Sequence, residues 1–134
     1  MILGVGVDLV HVPRVERALA RFGARFARRI LDPEEFGEFE ALPAETSSPG
    51  QRARFLAMRF AAKEAAAKAL GTGFRGGVAP RQFGVRRTGL GAPFLVVNGR
   101  AAETAAARGS SATLHLSLAD EKDYALAFVT LSSS

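Results

Sequence analysis

Residues 51–70, QRARFLAMRFAAKEAAAKAL, contain neither glycine nor proline and are dense in strong helix formers. Gly71 follows, where a left-handed C-terminal cap belongs. The run predicts one helix about 30 Å long. In a chain of 134 residues such a helix is the spine on which the rest must pack. The remainder reads as its cover. Residues 2–10 are apolar and β-branched and predict a buried strand. Pro13 suits the first turn of a helix over 14–26, with Val15, Ala18, Leu19 and Phe22 at helical spacing. Asp32-Pro33-Glu34-Glu35 is a helix start: a capping acid, a proline at the first helical position, then acids facing the dipole. Residues 42–50 read as a mobile loop and 71–80 as a glycine-rich turn region. Residues 82–88 and 93–97 predict strands joined through 89–92, and 98–108 a short helix. Residues 113–118 and 124–131 alternate and predict a hairpin closed by a tight connection at 119–122. The order implies a single α+β domain over 1–134, a mainly antiparallel sheet packed on one long helix.

Composition removes several kinds of chemistry. There is no cysteine, so no disulfide frame, thiolate metal site or thiol catalyst, and His11 and His115 are the only histidines. No apolar run approaches the ~20 residues of a membrane span. The N-terminal MILGVGVDLV has no basic residues ahead of its apolar stretch and holds an acid within it, unlike a signal peptide. A soluble, cytoplasmic protein is expected. Lys plus Arg number 18 against 13 acids, a net charge of +5, and lysine stands only at 63, 68 and 122. The excess is therefore arginine, which suits phosphates and carboxylates.

The spine carries the first candidates. On a helical wheel Phe55, Met58, Ala62, Ala65 and Ala69 form the expected core stripe, while Leu56, Phe60, Glu64 and Lys68 descend a second side at steps of four. Two apolar turns leading to an acid and a base make a plain solvated Glu64–Lys68 pair a poor account of that side, which reads as covered and facing a cleft or a neighbouring chain. Arg59 and Lys63 are like charges four apart, a repulsion that a bound anion would relieve. Asp8 lies inside the apolar first strand: either it caps the helix near Pro13, or it is a metal ligand fixed on a rigid strand. Gly71-Thr72-Gly73, with Gly76-Gly77, follows a helix instead of preceding one, so it is neither a P-loop nor a dinucleotide fingerprint; locally it is a cap and a turn. Gly4 and Gly6 fail the same test. His115 sits in an alternating strand, where a structural hydrogen-bonder is the ordinary reading. Arg14, Arg17, Arg21 and Arg25 follow at spacings of 3, 4 and 4, a basic stripe along the first helix that is either a solvated face or a docking surface for an acidic partner.

Together GVGVDLV at 4–10, RFAAKEAAAKALGTG at 59–73 and LHLSLADEKDYALAFV at 114–129 resemble the bacterial holo-acyl-carrier-protein synthases, the short members of the 4′-phosphopantetheinyl transferase superfamily; FARRILDPEEF at 26–36 and GAPFL at 91–95 also fit. The resemblance spans nearly the whole chain. It implies transfer of the phosphopantetheine arm of coenzyme A to a serine of an apo acyl carrier protein, with adenosine 3′,5′-bisphosphate as the other product, in the service of fatty acid biosynthesis. It implies that Asp8 and Glu64 are catalytic ligands of Mg²⁺ (or Mn²⁺) and that Lys68 is catalytic beside the pyrophosphate. Arg59, Lys63 and His115 are implied around the phosphates of coenzyme A, with Arg59 and His115 near the 3′-phosphate. The Gly71 to Gly73 turn would let backbone approach the nucleotide, and Arg14, Arg17, Arg21 and Arg25 would grip the acidic recognition helix of the carrier protein. It further implies a homotrimer with sites at subunit interfaces, covering the side near Leu56 and Phe60. Asp120 stands where many members carry a second histidine and others an acid.

The implied reaction leaves the acceptor of the serine proton open between Glu64, acting through a water, and a water on the cation. Other readings are a basic nucleic-acid module, a catalytically silent relative, and a transferase for another carrier. The first is disfavoured because acids interleave the bases and the chain has one Tyr and no Trp for base stacking. The second is disfavoured by the intact Asp8, Glu64 and Lys68 set.

Overall fold

The computed structural model describes residues 1–43 and 49–134, so most of the expected 42–50 loop lies outside the described residues. Along the chain run β1 (Ile2–His11), α1 (Val12–Phe22), α2 (Ala24–Ile30), α3 (Pro33–Ala41), α4 (Gln51–Leu70), a 3₁₀ turn (Pro80–Gln82), β2 (Phe83–Arg87), β3 (Pro93–Val97), α5 (Gly99–Ala107), β4 (Thr113–Glu121) and β5 (Tyr124–Ser132). The architecture is α+β with antiparallel sheets, as expected. One sheet has three strands in the order β1-β5-β4; the other is the β2–β3 hairpin. The α4 spine packs on one face of the larger sheet, and α1, α2 and α3 cover other sides of it.

Gly71 caps α4 at φ 85°, its N–H bonding Ala67 O and Lys68 O. The core stripe on α4 differs from the wheel expectation. Phe55 and Met58 are only half-buried, whereas Leu56, Ala57, Ala61, Ala62, Ala65 and Ala66 are sealed completely. A sheet and other helices enclose α4 along most of its length and leave it no broad solvated face to pattern, and its alanines permit close approach. Leu56 is covered within the chain and needs no neighbour.

The closest approach is to β1. A Cβ at Gly6 would lie 1.8 Å from the Ala65 carbonyl oxygen, and one at Gly4 2.0 Å from that of Ala69. Both glycines therefore serve strand-on-helix packing. The expectation of a buried β1 holds for one face only. Val5, Val7 and Leu9 point away from α4 and are exposed, because β1 edges a sheet covered on a single side.

The first helix is also corrected. Gly23, at φ 63°, breaks the expected 14–26 helix into α1 and α2, so Arg25 does not share a helix with Arg14, Arg17 and Arg21. Phe22 is exposed and takes no part in the core. The Asp32 start forms as read: Asp32 accepts from Glu35 N while Glu35 accepts from Asp32 N, a complete capping box. At the far end β4 continues through Glu121, and the hairpin turns on Lys122 and Asp123, Lys122 taking φ 45°. No helix among the described residues is long and apolar enough to cross a membrane.

Candidate active site

β1 and α4 build the site together. Gly4, Gly6 and Asp8 lie on one face of β1, because side chains alternate along a strand. The two glycines bring that face onto the α4 backbone at Ala69 and Ala65, so Asp8 arrives one step further along, level with Glu64 and Phe60. A cleft opens there between β1, α1 and α4. Asp8, His11, Arg14, Val15, Phe60 and Glu64 line it, with Ala18 and Phe26 at its apolar end.

Asp8 is not a helix cap. The residue at the start of α1 is His11, which makes no side-chain cap, and the side chain of Asp8, 12% exposed, accepts a bond from Lys68 Nζ at 3.1 Å. Lys68 also donates to Val7 O at 3.0 Å. The predicted i, i+4 partner of Glu64 thus reaches across to the strand. Burial, and after it the charge and hydrogen bond of Asp8, push the Glu64 carboxyl above its ordinary pKa, against the pull of Lys68. Two carboxylates are thus crowded in one cleft, with the half-exposed Lys68 ammonium beside them and Arg14 on the α1 wall.

That donor set suits a hard cation. Among the described residues no group of three or more His, Cys, Asp or Glu could hold a metal ion. Asp8 and Glu64 alone supply two oxygen ligands. Mg²⁺ fits such a pair because it is commonly held by one or two carboxylates, its other positions taken by water and substrate phosphate.

The other candidates are dispersed. Lys63 is the main correction. It is fully buried, donating to Glu35 Oε1 at 2.5 Å and to Ile30 O at 2.7 Å, and cannot reach a cofactor in this cleft. The carboxylate that relieves its repulsion with Arg59 belongs to the protein, so no bound anion is needed. Arg59 stacks on Phe55 with its guanidinium carbon 3.5 Å from the ring centroid. It lines a separate cleft with Glu34, Glu38, Val85, Arg86 and Arg87. His115 bonds Ser132 Oγ at 2.8 Å. It shares its cross-strand row with Thr130 and Val5, on the sheet face opposite Asp8. Gly71 and Gly73 lie at the far end of α4, beyond Lys68, both at positive φ. Within one chain, then, Asp8, Glu64, Lys68 and Arg14 converge, while Arg59, Lys63 and His115 do not.

Residues 4–129 match the family model of the 4′-phosphopantetheinyl transferase superfamily. The chain belongs to that superfamily. The holo-[acyl-carrier-protein] synthase of Nitrosococcus oceani is 56% identical over 131 residues, covering 98% of this chain and 80% of that protein. Among solved structures, the holo-[acyl-carrier-protein] synthase of Neisseria meningitidis is 41% identical with a TM-score of 0.85, covering 99% of this chain and all of that one. The Bacillus anthracis enzyme, in complex with CoA (3′,5′-ADP), is 33% identical with a TM-score of 0.79, covering 100% of this chain and 99% of that one. The fold expected from the superfamily resemblance is the fold found.

Sequence reasoning missed the packing role of Gly4 and Gly6 behind Asp8, and the burial of Glu35 against Lys63. For the glycines a signal existed: in Gly4-x-Gly6-x-Asp8 all three residues share a strand face, so the glycines clear the way for the acid. For Glu35 none did, since its partner Lys63 is 28 residues away.

Proposed function

We propose that the protein is a phosphopantetheinyl transferase that moves the 4′-phosphopantetheine arm of coenzyme A to a serine of an apo acyl carrier protein. The observation that carries this reading is the meeting of Asp8, Glu64 and Lys68 at one cleft whose α1 wall carries arginine. Asp8 and Glu64 would hold Mg²⁺, or Mn²⁺ in its place, and the bound cation supplies charge neutralisation at the pyrophosphate of coenzyme A. Glu64 receives, through a water, the proton of the serine hydroxyl as its oxygen joins the β-phosphorus. Lys68 steadies the bridging oxygen as its bond to that phosphorus breaks and adenosine 3′,5′-bisphosphate departs. Arg14, Arg17 and Arg21 on α1, and Arg25 across the Gly23 break, attract the acidic carrier.

Residues 1–134 act as one domain, in the cytoplasm, within fatty acid biosynthesis. The working unit is a homotrimer. Ile2, Val5, Val7, Leu9, Leu126 and Phe128 are exposed large apolar side chains on the two adjacent strands β1 and β5, a sheet surface that water disfavours and a second copy would cover. Such assembly would let His115 and Arg59, remote from Asp8 in their own chain, serve a neighbour's coenzyme A, with the Gly71 to Gly73 turn close to the nucleotide.

The test is intact-mass spectrometry of apo acyl carrier protein incubated with the protein, coenzyme A and Mg²⁺, with and without EDTA. A gain of one phosphopantetheine arm, absent with EDTA, is the expected result. Asp8→Ala and Glu64→Ala, each folded by circular dichroism, should lower the rate by about 10²–10³-fold. Near wild-type turnover of either variant at saturating Mg²⁺ would overturn the ligand assignment. No mass gain from the wild type with any carrier would overturn the function.

A further inference from the structure

Asn98 is the only asparagine in the chain, and a glycine follows it. An asparagine amide is most reactive in that setting, because a next residue without a Cβ leaves its backbone nitrogen open to attack the side-chain carbonyl. In a folded protein hydrogen bonds ordinarily prevent the attack, by holding either the amide or the nitrogen. Neither is held here.

The pair joins β3 to α5. Asn98 stands at the N-cap of α5 in extended backbone, with φ −141° and ψ 177°, yet its side chain caps nothing. It is exposed and makes no hydrogen bond with the described residues. An N-cap asparagine ordinarily accepts from the second or third helical N–H. Gln82 has taken that place: its Oε1 accepts from Ala101 N at 2.9 Å, and its Nε2 donates to Gly77 O at 2.9 Å. The first helical N–H, that of Gly99, has no acceptor within α5 and none elsewhere among the described residues. Gly99 takes φ 59°, and a Cβ there would lie 3.4 Å from the Gln82 side chain. The glycine that this turn demands is therefore the residue that leaves the amide reactive.

We infer that Asn98 is a site of spontaneous deamidation in the folded protein. The Gly99 nitrogen, losing its proton to hydroxide, bonds to Asn98 Cγ. The Cγ–Nδ2 bond breaks, ammonia leaves, and a succinimide ring closes. Water then opens the ring. Addition at Cγ restores the backbone and leaves an aspartate; addition at the main-chain carbonyl leaves an isoaspartyl link, one methylene longer. The two products differ in effect. An aspartate at 98 puts negative charge at the N-terminus of α5, where it is favoured. The isoaspartyl link turns the carbonyl that accepts from Ala102 N into a free carboxylate and shifts Asn98 N, which donates to Gln82 O at 2.9 Å. The loss falls on the start of α5 and on the turn that Gln82 and Arg100 tie to it at Gly77 and Gly76.

The test incubates the protein at mildly alkaline pH, folded and in urea, beside Asn98→Ser and Asn98→Asp. Mass spectrometry follows the tryptic peptide 88–100, which holds no glutamine. An isoaspartyl-specific methyltransferase gives the second readout. The folded wild type should gain one mass unit in that peptide, at a rate of the same order as the unfolded chain and in proportion to hydroxide, with isoaspartate formed. Asn98→Ser keeps a capping side chain without an amide and should keep its mass. The isoaspartyl form, separated by ion exchange, should melt below the wild type, and Asn98→Asp at or above it. A folded protein that keeps its mass over the time in which the unfolded chain converts overturns the inference, as does an equal gain in Asn98→Ser. An isoaspartyl form that melts with the wild type overturns the effect assigned to α5.

Discussion

The ammonium of Lys63 and the carboxylate of Glu35 meet at 2.5 Å with neither side chain exposed to solvent. Glu35 Oε1 also accepts from Asp32 N, its Oε2 accepts from Val85 N, and Lys63 donates again to Ile30 O. One ion pair thus joins α2, α3, α4 and β2 beside the α4 turn that carries Glu64. Breaking such a pair from one side leaves an uncompensated buried charge, at a cost of about 3–5 kcal/mol. Lys63→Ala should therefore lower the melting temperature severely. Lys63→Met combined with Glu35→Leu should recover much of the loss, because no charge is left behind. A double-mutant cycle on thermal or urea unfolding measures this, and additive losses would refute the coupling.

Gly6→Ala places a Cβ against the Ala65 carbonyl oxygen, at a separation no real contact tolerates. Strand and helix must part, and Asp8 and Glu64 stand two residues beyond Gly6 and one before Ala65. The variant should lose activity further than its loss of stability explains. The check is turnover measured well below its melting point: a fully active Gly6→Ala would mean that the approach of β1 to α4 does not set the site.

These two contacts mark where sequence reading stops. The α4 helix, its Gly71 cap and the Asp32 capping box were legible because each is fixed by neighbours within a few residues. Asp8 and Glu64 were legible as candidates because a carboxylate among apolar residues is anomalous wherever it occurs. The fate of Lys63 was not, since a buried lysine and a phosphate-binding lysine look alike until the partner is known, and that partner comes from a different helix. Nor could helical spacing foresee the turn at Gly23, because a glycine is tolerated in a helix as well as outside one. The stripe on α4 misled for a related reason: when a helix is enclosed on several sides, hydrophobic periodicity carries little information about which side is the core.

Asp32 gives the fold an acid-sensitive joint. Burial raises its pKa, but the Arg86 hydrogen bond, the capping bond at Glu35 and the charges of Arg86 and Lys63 outweigh that and hold it below the ordinary value of 3.8. Arg86 is correspondingly raised by Asp32, against its own desolvation. A carboxyl whose folded pKa is depressed contributes stability above the unfolded value and loses it as pH falls through the folded one. The contribution should thus be whole at neutral pH and drain away below about pH 4. Asp32→Asn keeps a capping side chain and removes the charge, at a cost of about 1–3 kcal/mol at pH 7. Melting curves from neutral to acid pH should show the gap between wild type and variant closing in acid, and a gap independent of pH would exclude the Asp32–Arg86 pair as its source.

Val7 and Phe128 face each other across β1 and β5 on the open side of the sheet, 51% and 46% exposed. Nothing in the single chain explains why that side should be apolar, while the side toward α4 is already filled. If it is the trimer contact, a charge there will be buried without a partner in the assembly but will sit freely in water on the monomer. Val7→Glu should consequently leave the secondary structure intact, shift the mass seen by light scattering from three chains to one, and remove transfer activity even though Asp8, Glu64 and Lys68 are untouched. The loss of activity follows only if His115 and Arg59 act on a neighbour's coenzyme A. Mixing Val7→Glu with the wild type offers no rescue in that case, because the altered face cannot enter the trimer. A Val7→Glu protein that is monomeric and fully active would place the whole site within one chain, and one that remains trimeric would move the interface elsewhere.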